Sequence, residues 1–152
     1  MPNLRDIHTR LVELISGIEG VGKVHRYQRY LNNLDDLAKL YVTENPIPTE
    51  KQLKGWFIQL LDIKASPVGN GKLEKIVRFK IQGFLGISDK LESQLTMMDL
   101  VEKIFNALTV SSFSGIPVAL SGVNLEAFNA VNFAGVLCHN AEIILSFQLR
   151  GQ

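Results

Sequence analysis

From Val77 to Phe84 the chain alternates in character, with Val77, Phe79 and Ile81 apolar and Arg78, Lys80 and Gln82 polar. A period of two places each set on its own side of an extended strand, so this stretch is a strand with one dry face and one wet face. The period then changes. Gly83 and Gly86 are expected to loosen the chain, and Ser88-Asp89 offers a helix N-cap. Leu91, Leu95, Met98, Val101, Phe105 and Leu108 follow at steps of three and four. That spacing predicts one apolar stripe on a helix of about five turns. Lys90, Glu92, Asp99, Glu102 and Lys103 lie mostly off the stripe. A strand with one apolar face running into a helix with one apolar stripe calls for a helix lying across a sheet.

The rest of the chain supplies partners for that layer. Asn3 or Asp6 opens a first helix, whose stripe is Leu4, Ile7, Leu11, Leu14 and Ile15, and Gly17 and Gly20 stop it. Val21 to Tyr27 reads as a short first strand, Tyr30 to Leu40 as a helical excursion, and Thr43 to Thr49 as a loop held extended by Pro46 and Pro48. Leu53 to Leu61 carries Trp56, Phe57 and Ile58 on both sides, the pattern of a central strand covered on both faces, or on one face by a neighbouring subunit. Ala65 to Lys72 is a turn region joining it to the next strand as a long antiparallel hairpin. Val118 to Phe133 reads as strand interrupted by Gly122 and Asn124. Val136 to Leu149 closes the chain as a strand, with Ala141, Ile143, Leu145, Phe147 and Leu149 on one side. The expected fold is a single α+β domain over residues 1–152, a mainly antiparallel sheet of four to five strands with two principal helices packed on one face.

Composition bears on what such a domain can do. The 152 residues are 46% hydrophobic and 20% charged, with a formal net charge of +1, so the whole molecule has no field that would draw it to a polyanion. Polar residues break every apolar run well short of the ~20 residues needed to cross a bilayer, and the polar N-terminus is not patterned as a secretory signal. No membrane partner is expected. The single cysteine, Cys138, excludes an internal disulfide and a cysteine-based zinc site. Its apolar strand context makes it a small core residue. The expected setting is a reducing cytoplasm.

Few residues suggest chemistry. Gly17-Ile-Glu-Gly-Val-Gly22-Lys23 has the glycine and lysine spacing of a phosphate-binding loop, but Val24 stands where a magnesium-binding hydroxyl belongs. The segment also follows a helix and enters a strand, the reverse of the order that aims helix amides at a phosphate. His8, His25 and His139 form no ligand pattern with neighbouring carboxylates or Cys138. Cys138 and His139 are adjacent in a strand and so point to opposite faces. His139-Asn140 is a candidate hydrogen-bonding pair at a subunit contact. No catalytic residue, metal site or cofactor is expected. Lys54, Lys75, Arg78 and Lys80 form a candidate polar or basic sheet face. Lys64, Ser66, Pro67, Asn70 and Lys72 form a candidate partner-binding hairpin. A basic two-stranded ribbon suits phosphates or an acidic protein surface, although aromatic interleaving for base stacking is poor.

Several segments together carry a family resemblance: Asn3-Leu-Arg-Asp-Ile-His8; Gly22-Lys-Val-His25-Arg-Tyr27; Gly55-Trp56; Phe79-x-Ile81-x-Gly83-Phe84; Asp99-Leu100-Val101-Glu102; and Gly135-Val-Leu-Cys-His139-Asn-Ala141-Glu142. Over nearly its whole length the chain resembles the tail terminator proteins of long-tailed phages, the minor tail protein U type. The resemblance implies a virion structural protein of the tail neck, assembled in the host cytoplasm, with no enzymatic activity. It implies a homohexameric ring that caps the tail tube protein, stops tube polymerisation and offers a surface to the head completion or connector protein. Genomic DNA would pass through the lumen without sequence-specific binding. On this expectation the hairpin around Ala65–Lys72 is an arm reaching an adjacent ring. The alternatives are a neighbouring head-completion neck protein, and a small nucleic-acid-binding module using the basic hairpin.

Overall fold

The computed structural model describes residues 4–27, 42–44, 51–89, 92–133 and 135–149. They form helix α1 (Leu4–Ser16), strands β1 (Lys23–His25), β2 (Val42–Glu44), β3 (Lys51–Gly69) and β4 (Lys72–Gly86), helix α2 (Ser93–Ala107), a 3-10 turn (Val110–Phe113), and strands β5 (Val118–Phe133) and β6 (Val136–Leu149). The sheet runs β1-β3-β4-β6-β5, with β2 attached to β3. Only the β1–β3 pair is parallel. The fold is therefore α+β, a mainly antiparallel sheet with two helices. Thr43 and Glu44 belong to β2, opposite Gln52 and Lys51, and not to the expected loop. The helical reading of residues 30–40 and the remainder of that loop, residues 45–49, lie outside the described residues.

Two long hairpins make the sheet. In the first, Gly69 pairs with Lys72, leaving Asn70 and Gly71 as a two-residue turn with φ of 56° and 71°. Positive φ at both central positions is the type I′ turn, whose twist matches that of the flanking strands and which favours Asn-Gly. The turn is thus narrower than the expected Ala65–Lys72. Ala65 to Gly69 continue β3, because Asn-Gly alone reverses the chain. In the second hairpin β5 runs unbroken past Gly122 and Asn124. Register shifts at Leu120/Gly122 and Leu125/Ala127 absorb the irregularity as bulges, so pairing continues on both sides.

The main core gathers Ile7, Leu11 and Ile15 of α1 with Met97, Leu100, Val101 and Ile104 of α2. They meet alternate residues of the central strands: Trp56 and Ile58, then Val77, Phe79 and Ile81, then Ala141, Ile143, Leu145 and Phe147. The α1 stripe is the expected one. The α2 stripe is so only in part, with Val101 and Leu108 buried as expected. Leu95 and Met98 are exposed and Phe105 is half-buried, while Met97, Leu100 and Ile104 turn inward; Leu91 lies outside the described residues. Apolar residues occupy more than half the circumference of this helix, so spacing alone allows several rotations and contact with the sheet selects one. The start of α2 also differs from expectation. Ser88-Asp89 does not cap it. The helix opens at Ser93, whose N–H donates to the Ser88 carbonyl at 3.1 Å and whose Oγ accepts the Ser88 N–H at 2.8 Å.

Gly83 does not loosen β4. It faces Trp56 across the β3–β4 ladder, and a Cβ there would come within 2.2 Å of the indole. The ring occupies the space a side chain would need, and its Nε1–H donates to the Val21 carbonyl at 3.0 Å. On the opposite side of the sheet a smaller cluster buries Leu53, Phe57, Phe84 and Cys138, with Val131, Phe133 and Val136 against it. Phe84 stacks on Phe133 with centroids 4.1 Å apart. This cluster supplies the second cover that the apolar pattern of Leu53 to Leu61 requires.

A Gly83→Ala substitution should cost about 3 kcal/mol, the upper range for overpacking a rigid core site. Gly122→Ala, where a Cβ meets nothing within 4 Å, should stay within roughly 0.5 kcal/mol of the parent. Urea unfolding of the two variants checks both.

Candidate functional site

The β3–β4 hairpin is longer than the sheet that supports it. Pairing of β4 with β6 begins at Ile76 opposite Gln148, whereas β3 and β4 pair on to Gly69 and Lys72. Residues 64–75 therefore form a two-stranded ribbon with no third strand among the described residues. Lys64, Ser66, Pro67, Asn70 and Lys72 all lie on this ribbon and all are exposed. So are apolar residues: Val68 and Leu73 on the ribbon are 59% and 46% accessible, and Ile63 at its base is 48% accessible. A two-stranded ribbon is marginal by itself in water, and one with exposed apolar side chains is short of cover.

The register separates the four expected basic-face residues. Lys54 and Lys75 share the side of Trp56, Ile58, Val77 and Phe79, which is the helix side, while Arg78 and Lys80 face the other way. The expectation of one basic face is corrected on that ground: the residues are two pairs on opposite faces, because Lys54 and Lys75 fall out of phase with Arg78 and Lys80. Lys54 is half-buried, and burial followed by the nearby Lys103 ammonium lowers its pKa.

Arg78 and Lys80 are also answered within the sheet. Arg78 grips Asp62 of β3 in a two-pronged pair, Nε to Oδ1 at 2.9 Å and Nη2 to Oδ2. That hydrogen-bonded guanidinium holds the Asp62 carboxyl below its ordinary range. Lys80 Nζ lies 3.4 Å from Glu142 of β6. Beside them, Gln82 Nε2 donates to Asn140 Oδ1 at 2.9 Å, and Asn140 Nδ2 donates to Asn129 Oδ1 at 3.0 Å. Gln148 donates to Glu74 at 2.6 Å. Four strands thus present a polar face whose charges and amides satisfy one another.

His139 and Asn140 do not pair. Asn140 belongs to that amide chain, while His139 turns to the helix side, where its Nε2 lies 2.8 Å from Ser93 Oγ. Spacing missed this Ser–His contact, since the two residues are 46 positions apart and neither lies in a local motif. Asp89 and Glu92 line the same shallow hollow of about 220 Å³. Ser93 is buried, its Oγ already accepts the Ser88 N–H, and among the described residues no carboxylate holds His139. The contact ties the start of α2 to β6. His8 likewise serves the frame: its Nε2–H donates to the Ile58 carbonyl at 3.2 Å, just past the point where β1 stops pairing with β3. The glycine-rich stretch is the stop of α1 followed by β1, with Gly20 and Gly22 at positive φ. Among the described residues no three His, Cys, Asp or Glu side chains gather as a metal site, and no helix is long and apolar enough to cross a membrane.

Cys138 sits at the centre of the second cluster, and burial pushes its thiol up to about 11. At pH 8 the folded protein should resist a chromogenic disulfide reagent and react fully in denaturant. Fast labelling of the folded protein would show that the Phe84–Phe133 cover opens.

A scan against models of known protein families finds no match to this chain, and a search of curated proteins finds no significant similarity.

Proposed function

We propose that the chain is a virion structural protein: a tail terminator that closes into a ring, a cap on the tail tube that halts its polymerisation and receives the head connector. The observation that carries this reading is the protruding ribbon, which exposes Val68 and Leu73 beyond Ile63 at its base, apolar surface that contact with another polypeptide would cover. Two further features support it. Beyond Phe57 no described strand pairs with the second side of β3, and none pairs with the outer side of β5. Unpaired sheet edges at both ends suit repeated head-to-tail contact between identical copies. The polar face also suits a channel for DNA, because its Arg78–Asp62 and Lys80–Glu142 pairs leave little net charge to grip a sliding polyanion.

The specific step, terminator and not a neighbouring neck protein, rests on the resemblance of the Gly22–Tyr27, Gly55-Trp56, Phe79–Phe84 and Gly135–Glu142 segments to that family. On this reading the role is assembly and not catalysis, the place of action is the neck of the virion, and the partners are further copies, the tube protein and the connector. The nucleic-acid-binding alternative has less support, since Lys54 and Lys75 face away from the other ribbon cations and Arg78 and Lys80 are paired, which leaves Lys64 and Lys72 as the exposed cations of that face.

Electron microscopy of particles made without this protein should show overlong tails and unjoined heads. Normal tails on full heads would overturn the reading. Duplex affinity that falls steeply with salt and disappears in Lys75→Glu/Arg78→Glu would transfer support to the nucleic-acid module.

A further inference from the structure

We infer that the recess between α1 and the end of β1 binds the dianionic phosphoryl group of a small ligand, inorganic phosphate or a phosphate monoester. Arg5, His8 and Thr9 stand three and four positions apart in α1 and so share one side of that helix. β1 returns beside α1 after the glycine-rich stop, and the residues that follow it bring Arg26 and Tyr27 to the same side. There Arg26 Nη2 donates to Thr9 Oγ1 at 3.1 Å. The five side chains line one recess of about 260 Å³. That is below the ~300–1,000 Å³ usual for a drug-sized ligand, so the group that fits it is small.

The charge of the lining has one sign. Arg5 and Arg26 supply two guanidiniums, and among the described residues no carboxylate lines the recess. Asp6 and Glu13 line a separate hollow, which shares only Thr9 with the recess and contains Arg10. The other described arginines are committed elsewhere: Arg78 to Asp62, and Arg10 to the Ser112 and Ser114 carbonyls at 3.0 and 3.1 Å. Arg5 makes no hydrogen bond or ion pair among the described residues. Arg26 keeps further N–H groups beyond the one that Thr9 accepts, and the Thr9 hydroxyl, an acceptor in that bond, still has its own O–H to donate. The His8 ring is fixed through Nε2 on the Ile58 carbonyl and beside Phe79. Two guanidiniums facing one recess repel each other until an anion joins them. A tetrahedral dianion presents oxygens on several sides, so both forks and the hydroxyl can donate to it together. A phosphodiester carries one charge where two guanidiniums are available.

The full-length chain is titrated by calorimetry with inorganic phosphate, with phenyl phosphate and with a short DNA duplex, at constant ionic strength in chloride. The expected result is saturable binding of phosphate and of phenyl phosphate. Equal affinities would point to the free ion, and tighter binding of phenyl phosphate would point to a monoester whose organic part packs on the Tyr27 ring. Arg5→Gln and Arg26→Gln should each weaken phosphate binding roughly tenfold, the loss expected for a charge-assisted contact. Arg5→Lys, which keeps the charge and loses the fork, should fall between. Lys103→Gln, which removes a cation outside the recess, should leave the affinity unchanged. Thermal unfolding of each variant without phosphate separates a lost site from a lost fold. Absence of saturable phosphate binding by the parent chain would overturn the inference. So would an equal loss in Lys103→Gln, the mark of overall charge, or a duplex that binds through Arg5 and Arg26 while phenyl phosphate does not. None of these outcomes bears on the ring reading, which the inference does not use.

Discussion

Trp56 pressed against Gly83 is the contact on which the rest of the domain is aligned. A strand pair that brings the largest side chain opposite the one residue without a side chain holds in a single register, since a shift by one residue would drive the indole into a Cβ and invert both faces of β3. The same indole reaches the Val21 carbonyl, so the turn after α1 is tied to the middle of the sheet. From that point α1 and α2 settle on the alternate residues of β3, β4 and β6. The Phe57–Phe84–Phe133 cluster then closes the opposite side near the ends of β3 and β4.

Strand length, and not any single residue, produces the surface that stands out. β3 has 19 residues and β4 has 15, but β6 leaves β4 at Ile76. Everything beyond that pair is a ribbon with no layer above it among the described residues, yet its apolar residues continue the pattern of the covered part. A chain meant to remain alone would be expected to end its apolar alternation where its cover ends. The continuation is the feature on which the proposed contact with another polypeptide rests. The ladder of paired charges and amides on the other face shows the opposite treatment, with polar groups satisfied within the sheet and left toward solvent.

Much of this was legible in the residues. The period of two in Val77 to Gln82, the α1 stripe, a chain reversal within Ala65 to Lys72 and the dry side of β6 are local signals, each set by neighbours within a few positions. They gave the α+β class and located the hairpin that became the candidate surface. The candidate hairpin residues Lys64, Ser66, Pro67, Asn70 and Lys72 fall together because one strand–turn–strand unit contains them all.

Other features depended on distant parts of the chain. The rotation of α2 was ambiguous because Leu95, Met98 and Phe105 are as apolar as Met97, Leu100 and Ile104, and only contact with β4 and β6 distinguishes them. The supposed basic face dissolved because strand phase and cross-strand partners assign Lys54 and Lys75 to one side and commit Arg78 and Lys80 to Asp62 and Glu142. Gly83 looked like a flexible point until Trp56, 27 positions earlier, took its space. Periodicity records which way a side chain leans from its own backbone, whereas the neighbour it meets is set by register between segments far apart in the chain, and no short-range pattern contains that information.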